Sequence, residues 1–123
     1  MDFKILISED EKINLFLLKK LIEKSNNSNV VICHASDGEQ AVELCDSSID
    51  LVLMDVEMPI MDGFEAAAII KAKYPNMPIV MQTAHCSQSH KEKADAIGCD
   101  GFLSKPIIRK NLEELLSKYA PKN

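Results

Sequence analysis

The fold is decided by the stretch Asp50-Leu51-Val52-Leu53-Met54-Asp55, a short apolar run that ends in a carboxylate. Three other runs have the same form: Lys4-Ile5-Leu6-Ile7-Ser8-Glu9-Asp10, Pro78-Ile79-Val80-Met81-Gln82-Thr83 and Gly101-Phe102-Leu103-Ser104-Lys105-Pro106. Runs this apolar are typical of strands that are buried on both faces. Each run therefore predicts a buried β-strand that delivers a polar or charged side chain at its end.

Segments with helical periodicity lie between these runs. The first predicted helix covers about 11–24 and is ended by the polar segment Ser25 to Asn29. Its predicted inward positions are Ile13, Leu17 and Leu21, with Leu18 and Ile22 beside them. Val30 to Ala35 is then predicted to form the second strand, which completes the first strand, helix, strand unit.

Helix-end signals mark the remaining helices. Asp37 with Gln40, and Asp62 with Glu65, have the spacing of capping boxes, and Gly98 suits a left-handed helix end. The predicted inward residues are Ala41, Leu44 and Cys45 in the second helix, Phe64, Ala67 and Ala68 in the third, and Leu112, Leu115, Leu116 and Tyr119 in the last. The third helix is expected to stop near Tyr74-Pro75, and the fourth to cover 87–97.

This alternation predicts an α/β fold with a parallel sheet and helices on both faces, that is, a doubly wound domain. The length of 123 residues fits a single domain, 1–123. Because all strands of a parallel sheet end along one edge, residues far apart in sequence are brought together there. Ligands of open α/β sheets bind at that edge.

Composition excludes several classes of protein. The apolar fraction of 46% and charged fraction of 27% are those of a globular domain, and a net charge of −5 argues against direct nucleic-acid binding. No run reaches the roughly 18 apolar residues of a membrane span, so we expect no membrane insertion and a cytoplasmic location. The spacing of His85, Cys86, His90 and Cys99 matches no structural zinc template, and the cysteines are expected to remain reduced.

Three acids, Glu9, Asp10 and Asp55, are predicted to meet at the strand ends. Three carboxylates about 5 Å apart would repel each other by ~3 kcal/mol per pair at an effective dielectric constant of 20. Either a cation or protonation of one acid can relieve this repulsion. An all-oxygen ligand set favours Mg²⁺, with Mn²⁺ as the alternative cation.

Asp55 is a candidate nucleophile, because carboxylates can accept phosphoryl groups as aspartyl phosphates. Lys105 would supply positive charge, and Thr83 and the main-chain amide of Ala84 would donate hydrogen bonds to phosphoryl oxygens. A cis bond before Pro106 is expected to fix the direction of Lys105.

These motifs together resemble the receiver domains of two-component response regulators. The resemblance rests on Glu9-Asp10, Leu53-Met54-Asp55-Val56-Glu57-Met58-Pro59 with Met61-Asp62-Gly63, Thr83-Ala84 and Phe102-Leu103-Ser104-Lys105-Pro106. It implies a flavodoxin-like, five-stranded parallel sheet of order 2-1-3-4-5 with five helices.

The resemblance also implies roles for individual residues. Asp55 would be the phosphoacceptor, and Asp10, Asp55 and the main-chain carbonyl of Glu57 would hold Mg²⁺. Glu9 replaces the more usual aspartate and belongs to the implied metal site, where it would contact the cation either directly or through a water, and its extra methylene suits the contact through water. Thr83 and Lys105 would contact the phosphoryl group, and Thr83 and Phe102 would act as the switch that alters the surface of helix 4, strand 5 and helix 5.

The expected partners are a histidine kinase or histidine phosphotransfer protein and a downstream protein target. The chain is expected to be a monomer or a weak, phosphorylation-dependent dimer, and it could be a free regulator or the receiver part of a hybrid histidine kinase. As a signalling domain it is not expected to be an enzyme beyond catalysing its own loading and slow hydrolysis. The alternatives are an aspartate-nucleophile phosphatase of haloacid dehalogenase type and a non-phosphorylated pseudo-receiver that binds a partner constitutively.

Overall fold

The computed structural model describes residues 2–25 and 29–121 of the chain. Over these residues five strands alternate with five helices: β1 (Asp2–Ser8), α1 (Lys12–Ser25), β2 (Asn29–Ala35), α2 (Gly38–Leu44), β3 (Leu51–Asp55), α3 (Gly63–Lys73), β4 (Ile79–Thr83), α4 (Gln88–Ile97), β5 (Gly101–Ser104) and α5 (Arg109–Tyr119). The polar segment predicted to end the first helix falls largely on residues 26–28, which lie outside the described residues.

The strands form one parallel sheet in the order β2-β1-β3-β4-β5, which confirms the predicted fold class and strand order. β1 lies between β2 and β3. The chain therefore adds β2 on one side of β1 and then adds β3, β4 and β5 on the opposite side. This reversal between β1 and β3 creates the crevice at which ligands of such folds bind.

Helices cover both faces of the sheet, and successive residues of each strand point to opposite faces. On one face, Ile5, Ile7 and Leu53 pack with residues of α1 and α5. On the other, Leu6 and Met54 pack with residues of α2, α3 and α4. The central strands are buried on both sides, as their continuous apolar sequences predicted.

The predicted helix ends are present. Asp37 accepts a hydrogen bond from the Gln40 amide at 2.8 Å, and Asp62 accepts one from the Glu65 amide at 2.9 Å. Gly98 ends α4 with a φ of 95°, a left-handed conformation that a residue with a Cβ rarely adopts.

The predicted inward face of α1 is wrong in part. Ile13 and Leu17 are 74% and 54% exposed, whereas Leu18 and Ile22 are buried against the sheet and α5. Apolar residues occupy more than one side of α1, and their spacing does not tell which side meets the sheet. The side that packs is the one that the sheet and α5 cover together.

Two smaller corrections concern α2 and α3. Leu44, predicted to point inward, is 46% exposed, and α2 buries Ala41 and the adjacent Cys45 instead. Ala68 is exposed, and Ala66 takes the buried position. In α5 the predicted face is observed, with Leu112 and Leu116 buried and Leu115 and Tyr119 half-buried. Among the described residues, no helix has the length and apolar character required to cross a bilayer.

Candidate functional site

The side chains predicted to meet are delivered by neighbouring strand ends. Ser8 pairs with Met54 across β1 and β3, so Glu9 and Asp55, the next residues along each strand, lie side by side. Thr83 pairs with Ser104 across β4 and β5, and Lys105 follows directly. The strand register alone therefore brings these residues to one edge of the sheet.

Three carboxylates form the acidic part of the site. One oxygen each from Glu9, Asp10 and Asp55 lies within 4.8 Å of the others. Glu9 and Asp55 are 1% and 3% exposed, whereas Asp10 faces solvent. Within the described part of the chain, this is the single cluster of acids, histidines or cysteines with such spacing, so nothing gathers His85, Cys86, His90 and Cys99 into a metal site.

Lys105 holds the two buried acids together. Its Nζ donates to Oε1 of Glu9 and to Oδ2 of Asp55, at 2.8 Å in both cases. The other oxygens accept from main-chain amides, Oε2 of Glu9 from Glu11 and Oδ1 of Asp55 from Glu57, each at 3.2 Å. A single positive charge thus offsets two buried negative charges, which leaves the site short of cationic charge.

This charge imbalance appears in the pKa values. Burial is the largest influence on Asp55 and raises its pKa from 3.8 to about 7; the hydrogen bond from Lys105 opposes this shift, and the charge of Glu9 adds to it. Burial acts to lower the pKa of Lys105, but its hydrogen bonds to Asp55 and Glu9 prevail and raise it. Near neutral pH, the Asp55 carboxyl group is therefore only partly ionised, and a bound cation would favour its ionised form.

The Thr83 hydroxyl is turned toward Glu57. It donates to Oε1 of Glu57 at 2.6 Å and accepts from the main-chain amide of His85 at 3.0 Å. Because a hydroxyl carries one proton, this hydrogen bond keeps the Thr83 donor away from Asp55. Sequence reasoning did not foresee this contact of the Glu57 side chain.

The loop after β3 is fixed against Asp55 by a glycine. The Gly63 amide donates to the Val56 carbonyl at 2.9 Å. A Cβ on residue 63 would lie 2.0 Å from the main-chain oxygen of Asp55, a distance that no side chain can tolerate. Only glycine lets the start of α3 approach so closely, and this approach sets the position of the loop that carries Glu57.

A cavity of about 500 Å³ opens above the acids. Its walls include Asp10, Asp55, Glu57, Ala84, His85, Lys105 and Pro106. The Lys105–Pro106 peptide bond is cis. Phe102 lies outside this lining and packs, half-buried, against the core on the α2–α4 face. The other predicted site residues thus border one space, except for Glu9 and Thr83, which are buried. This acid and this hydroxyl contact two residues of the lining, Glu9 through Lys105 and Thr83 through Glu57.

The donor set fits a hard divalent cation. All side-chain ligands at the acidic cluster are carboxylate oxygens, and one of the three is open to solvent. Mg²⁺ prefers oxygen ligands and usually retains several waters, which such a partly open cluster allows. Zinc would instead favour histidine and cysteine ligands.

Two further polar features of the site region were not foreseen from the sequence. A ring nitrogen of His34, Nε2, lies 2.8 Å from the main-chain oxygen of Glu9 and so ties β2 to the acidic loop. Gln82 is 2% exposed, and in the described part of the chain its side-chain nitrogen has no hydrogen-bond partner. A polar residue inside an apolar strand was the available signal for Gln82, whereas the sequence held none for His34.

Comparison with known proteins defines the class. The family model for the response regulator receiver domain matches residues 5–117, and the chain belongs to this family. It is therefore a receiver domain of the kind used in two-component signalling, which occurs both in response regulators and in hybrid histidine kinases.

The chain is 34% identical over 134 residues to hybrid signal transduction histidine kinase I of Dictyostelium discoideum, covering 98% of this chain and 8% of the kinase. It is 37% identical over 109 residues to the transcriptional regulatory protein CpxR of Escherichia coli K12, covering 89% of this chain and 45% of CpxR. The chain thus spans less than half the length of either relative.

A solved structure with the same fold carries a metal. It is the receiver domain of sensor histidine kinase PA1611 from Pseudomonas aeruginosa PAO1, which has a magnesium ion coordinated in its active site cleft. The TM-score is 0.84 at 27% sequence identity, with 97% of this chain and 98% of that chain covered.

Proposed function

We propose that this chain is a phosphoacceptor module that receives a phosphoryl group on Asp55 from a phosphohistidine donor. The observation that carries the proposal is the convergence of Asp55 with two further acids and Lys105 beneath one open cavity. The transition state of phosphoryl transfer needs positioning and charge neutralisation more than acid or base catalysis. The site offers both, with a nucleophile, a lysine and a cluster of metal-binding oxygens.

In the transfer step, an oxygen of the Asp55 carboxylate attacks phosphorus. The new P–O bond forms as the P–N bond of the phosphohistidine breaks, and the departing imidazole nitrogen retains the electron pair and is protonated from solvent. Lys105 already contacts the attacking carboxylate, so its ammonium group is placed to neutralise a phosphoryl oxygen. The amide of Ala84, whose residue borders the cavity, would donate to another oxygen.

Asp10, Asp55 and the main-chain carbonyl of Glu57 are the residues that would hold Mg²⁺, and Mn²⁺ would suit the same oxygens. When bound, the cation supplies positive charge to the phosphoryl oxygens. Both carboxylate oxygens of Glu9 are already occupied, by Lys105 and by the Glu11 amide. This arrangement supports contact between Glu9 and the cation through water.

The switch would begin at Thr83. Its hydroxyl is now held by Glu57, so an arriving phosphoryl group competes with this carboxylate for the Thr83 proton. A phosphoryl group brings close to two negative charges and three strong acceptor oxygens, and can draw the hydroxyl away from Glu57. Movement of Thr83 would then make room for Phe102, and the surface of α4, β5 and α5 would change its affinity for a downstream protein.

The wider setting is also part of the proposal. The chain would act as one receiver domain over 1–123, either alone or within a longer protein such as a hybrid histidine kinase. Its partners would be a histidine kinase or a histidine phosphotransfer protein and a downstream target. The similarity to receiver segments of a hybrid kinase and of a transcriptional regulator supports this range without choosing between them.

The test is intact-mass spectrometry after incubation with acetyl phosphate. We expect one added phosphoryl group in the presence of Mg²⁺, loss of labelling with a chelator, and no label on Asp55→Asn. Continued labelling of Asp55→Asn would show that another residue is the acceptor. Repeated turnover of small phosphoesters would favour the phosphatase alternative, and absence of both labelling and Mg²⁺ binding would favour a pseudo-receiver.

A further inference from the structure

A second cavity, of about 390 Å³, lies between α1 and the segment that connects β5 to α5. Its walls are mainly apolar and include Leu17, Leu18, Leu21, Pro106 and Ile107. A volume of this size falls in the range of small-molecule sites. The phosphoacceptor proposal assigns this cavity no role.

A buried residue with an unpaired hydrogen-bond donor lines the same cavity. Gln82, on β4, is 2% exposed, and its Nε2 has no hydrogen-bond partner among the residues that the structure describes. Buried polar groups are nearly always paired, and an unpaired one indicates a missing water or ligand. An acceptor atom placed in the cavity would satisfy this donor.

The charges around the cavity favour an anion. Three lysines, Lys20, Lys24 and Lys105, line it together with a single acid, Glu9. Glu9 is already paired with Lys105 at 2.8 Å. Lys20 and Lys24 are on exposed positions of α1, and neither forms an ion pair with another described residue, although the Lys20 ammonium lies 5.4 Å from the centre of the Phe16 ring. Their positive charges can therefore attract a negative group. Apolar walls, a buried donor and a cationic lining together describe a site for an amphipathic acid.

We propose that this cavity binds a small organic anion, a monocarboxylate with an apolar chain of medium length, through the side-chain amide of Gln82. A carboxylate oxygen accepts from Nε2 of Gln82, and the chain lies against Leu17, Leu21 and Ile107. The site is distinct from the acidic cavity, although Asn14, Lys105 and Pro106 border both spaces. Binding requires neither Mg²⁺ nor phosphorylation, so it does not depend on the proposed function.

Octanoate is a suitable probe, in an NMR titration of ¹⁵N-labelled, unphosphorylated protein without divalent cation. We expect saturable shifts of the Gln82 side-chain amide and of the main-chain amides of Leu17, Leu21 and Ile107. Gln82→Leu removes the donor and should weaken binding by about tenfold or more, the effect of losing a hydrogen bond to a charged group. Gln88→Leu, a matched change on the exposed side of α4, should leave the affinity within about twofold.

A second variant guards against misfolding of the first. Ile107→Trp fills the cavity from a half-buried position and should abolish the octanoate shifts while the rest of the spectrum is retained. 1-Octanol, which has the same chain length and no charge, should bind more weakly than octanoate.

Three results would overturn the proposal. The first is the absence of saturable shifts up to about 10 mM octanoate, which would assign the Gln82 donor to an ordinary water. The second is equal affinity in the parent and in Gln82→Leu. The third is a set of shifts at these residues that follows protein concentration without octanoate, which would show that a second copy of the chain covers the cavity.

Discussion

Replacing Asp55 with asparagine should stabilise the metal-free protein at alkaline pH. Asparagine has the shape of the neutral carboxyl group and carries no charge, so the variant keeps the volume of the site and removes one of the two buried negative charges that share Lys105. In the variant, Lys105 retains its contact with Glu9.

The magnitude follows from the pKa of Asp55, which rises from 3.8 to about 7 on folding. Between these values the native state binds more protons than the unfolded state, so the free energy of unfolding falls as pH rises through this window. At about 1.4 kcal/mol per pKa unit, the full penalty above pH 7 is at most about 4 kcal/mol. The stability of Asp55→Asn lacks this pH dependence.

Urea unfolding with chelator and reductant measures the difference. At pH 8 we expect Asp55→Asn to be more stable than the parent by roughly 1 to 4 kcal/mol, and at pH 4 the two should agree within about 0.5 kcal/mol. Asp95→Asn, on the exposed side of α4, is the matched control and should show no such gain. Added Mg²⁺ should stabilise the parent more than Asp55→Asn, because a ligand stabilises the state that binds it.

The reasoning would be refuted by an Asp55→Asn protein that is less stable than the parent at pH 8 without divalent cation. Such a result would mean that the contacts of the charged Asp55 with Lys105 and the Glu57 amide outweigh its burial.

Three further predictions concern the scaffold and the lysine. Gly63→Ala should lower the free energy of unfolding by roughly 3 kcal/mol in urea, because its Cβ would lie 2.0 Å from the Asp55 carbonyl oxygen; an unchanged midpoint would contradict the close contact. Leu112→Ala should cost about 2 to 5 kcal/mol, whereas Ile108→Ala, at a position 61% exposed, should cost under about 0.5 kcal/mol; equal losses would contradict the assigned core. Lys105→Ala should keep Mg²⁺ affinity within about threefold by calorimetry but slow labelling by acetyl phosphate about tenfold or more. Parallel loss of both properties would count against a separate role for Lys105.

The parallel sheet and the edge that carries the site could be predicted from the sequence, because both depend on short-range patterns. Apolar runs such as 51–54 predict buried strands, and parallel strands must end along one edge. Asp55 and Lys105 therefore meet without any information on their side-chain contacts. The strand order itself came from the resemblance to receiver domains, and the register that places Glu9 beside Asp55 is known only from the structure.

The contacts of individual side chains could not be predicted in the same way. Leu17 and Leu18 are both apolar and both helical, and the packing of α1 against the sheet and α5 decides that Leu18 is buried. The hydrogen bond from Thr83 to Glu57 joins the end of β4 to the loop after β3, and no spacing rule connects residues 26 positions apart. The unpaired amide of Gln82 likewise depends on which neighbours surround it in three dimensions.

The most direct measurement is location of the modified residue after treatment with acetyl phosphate and Mg²⁺. Borohydride reduction converts an aspartyl phosphate to homoserine, and peptide mass spectrometry then identifies the position. We expect homoserine at residue 55 and nowhere else among the acids of the cluster. Homoserine at Asp10 would contradict Asp55 as the acceptor. At Glu9 the corresponding product is the alcohol with one more methylene, and its detection would contradict Asp55 equally. The absence of any reduced residue in a protein that binds Mg²⁺ would also contradict the proposal.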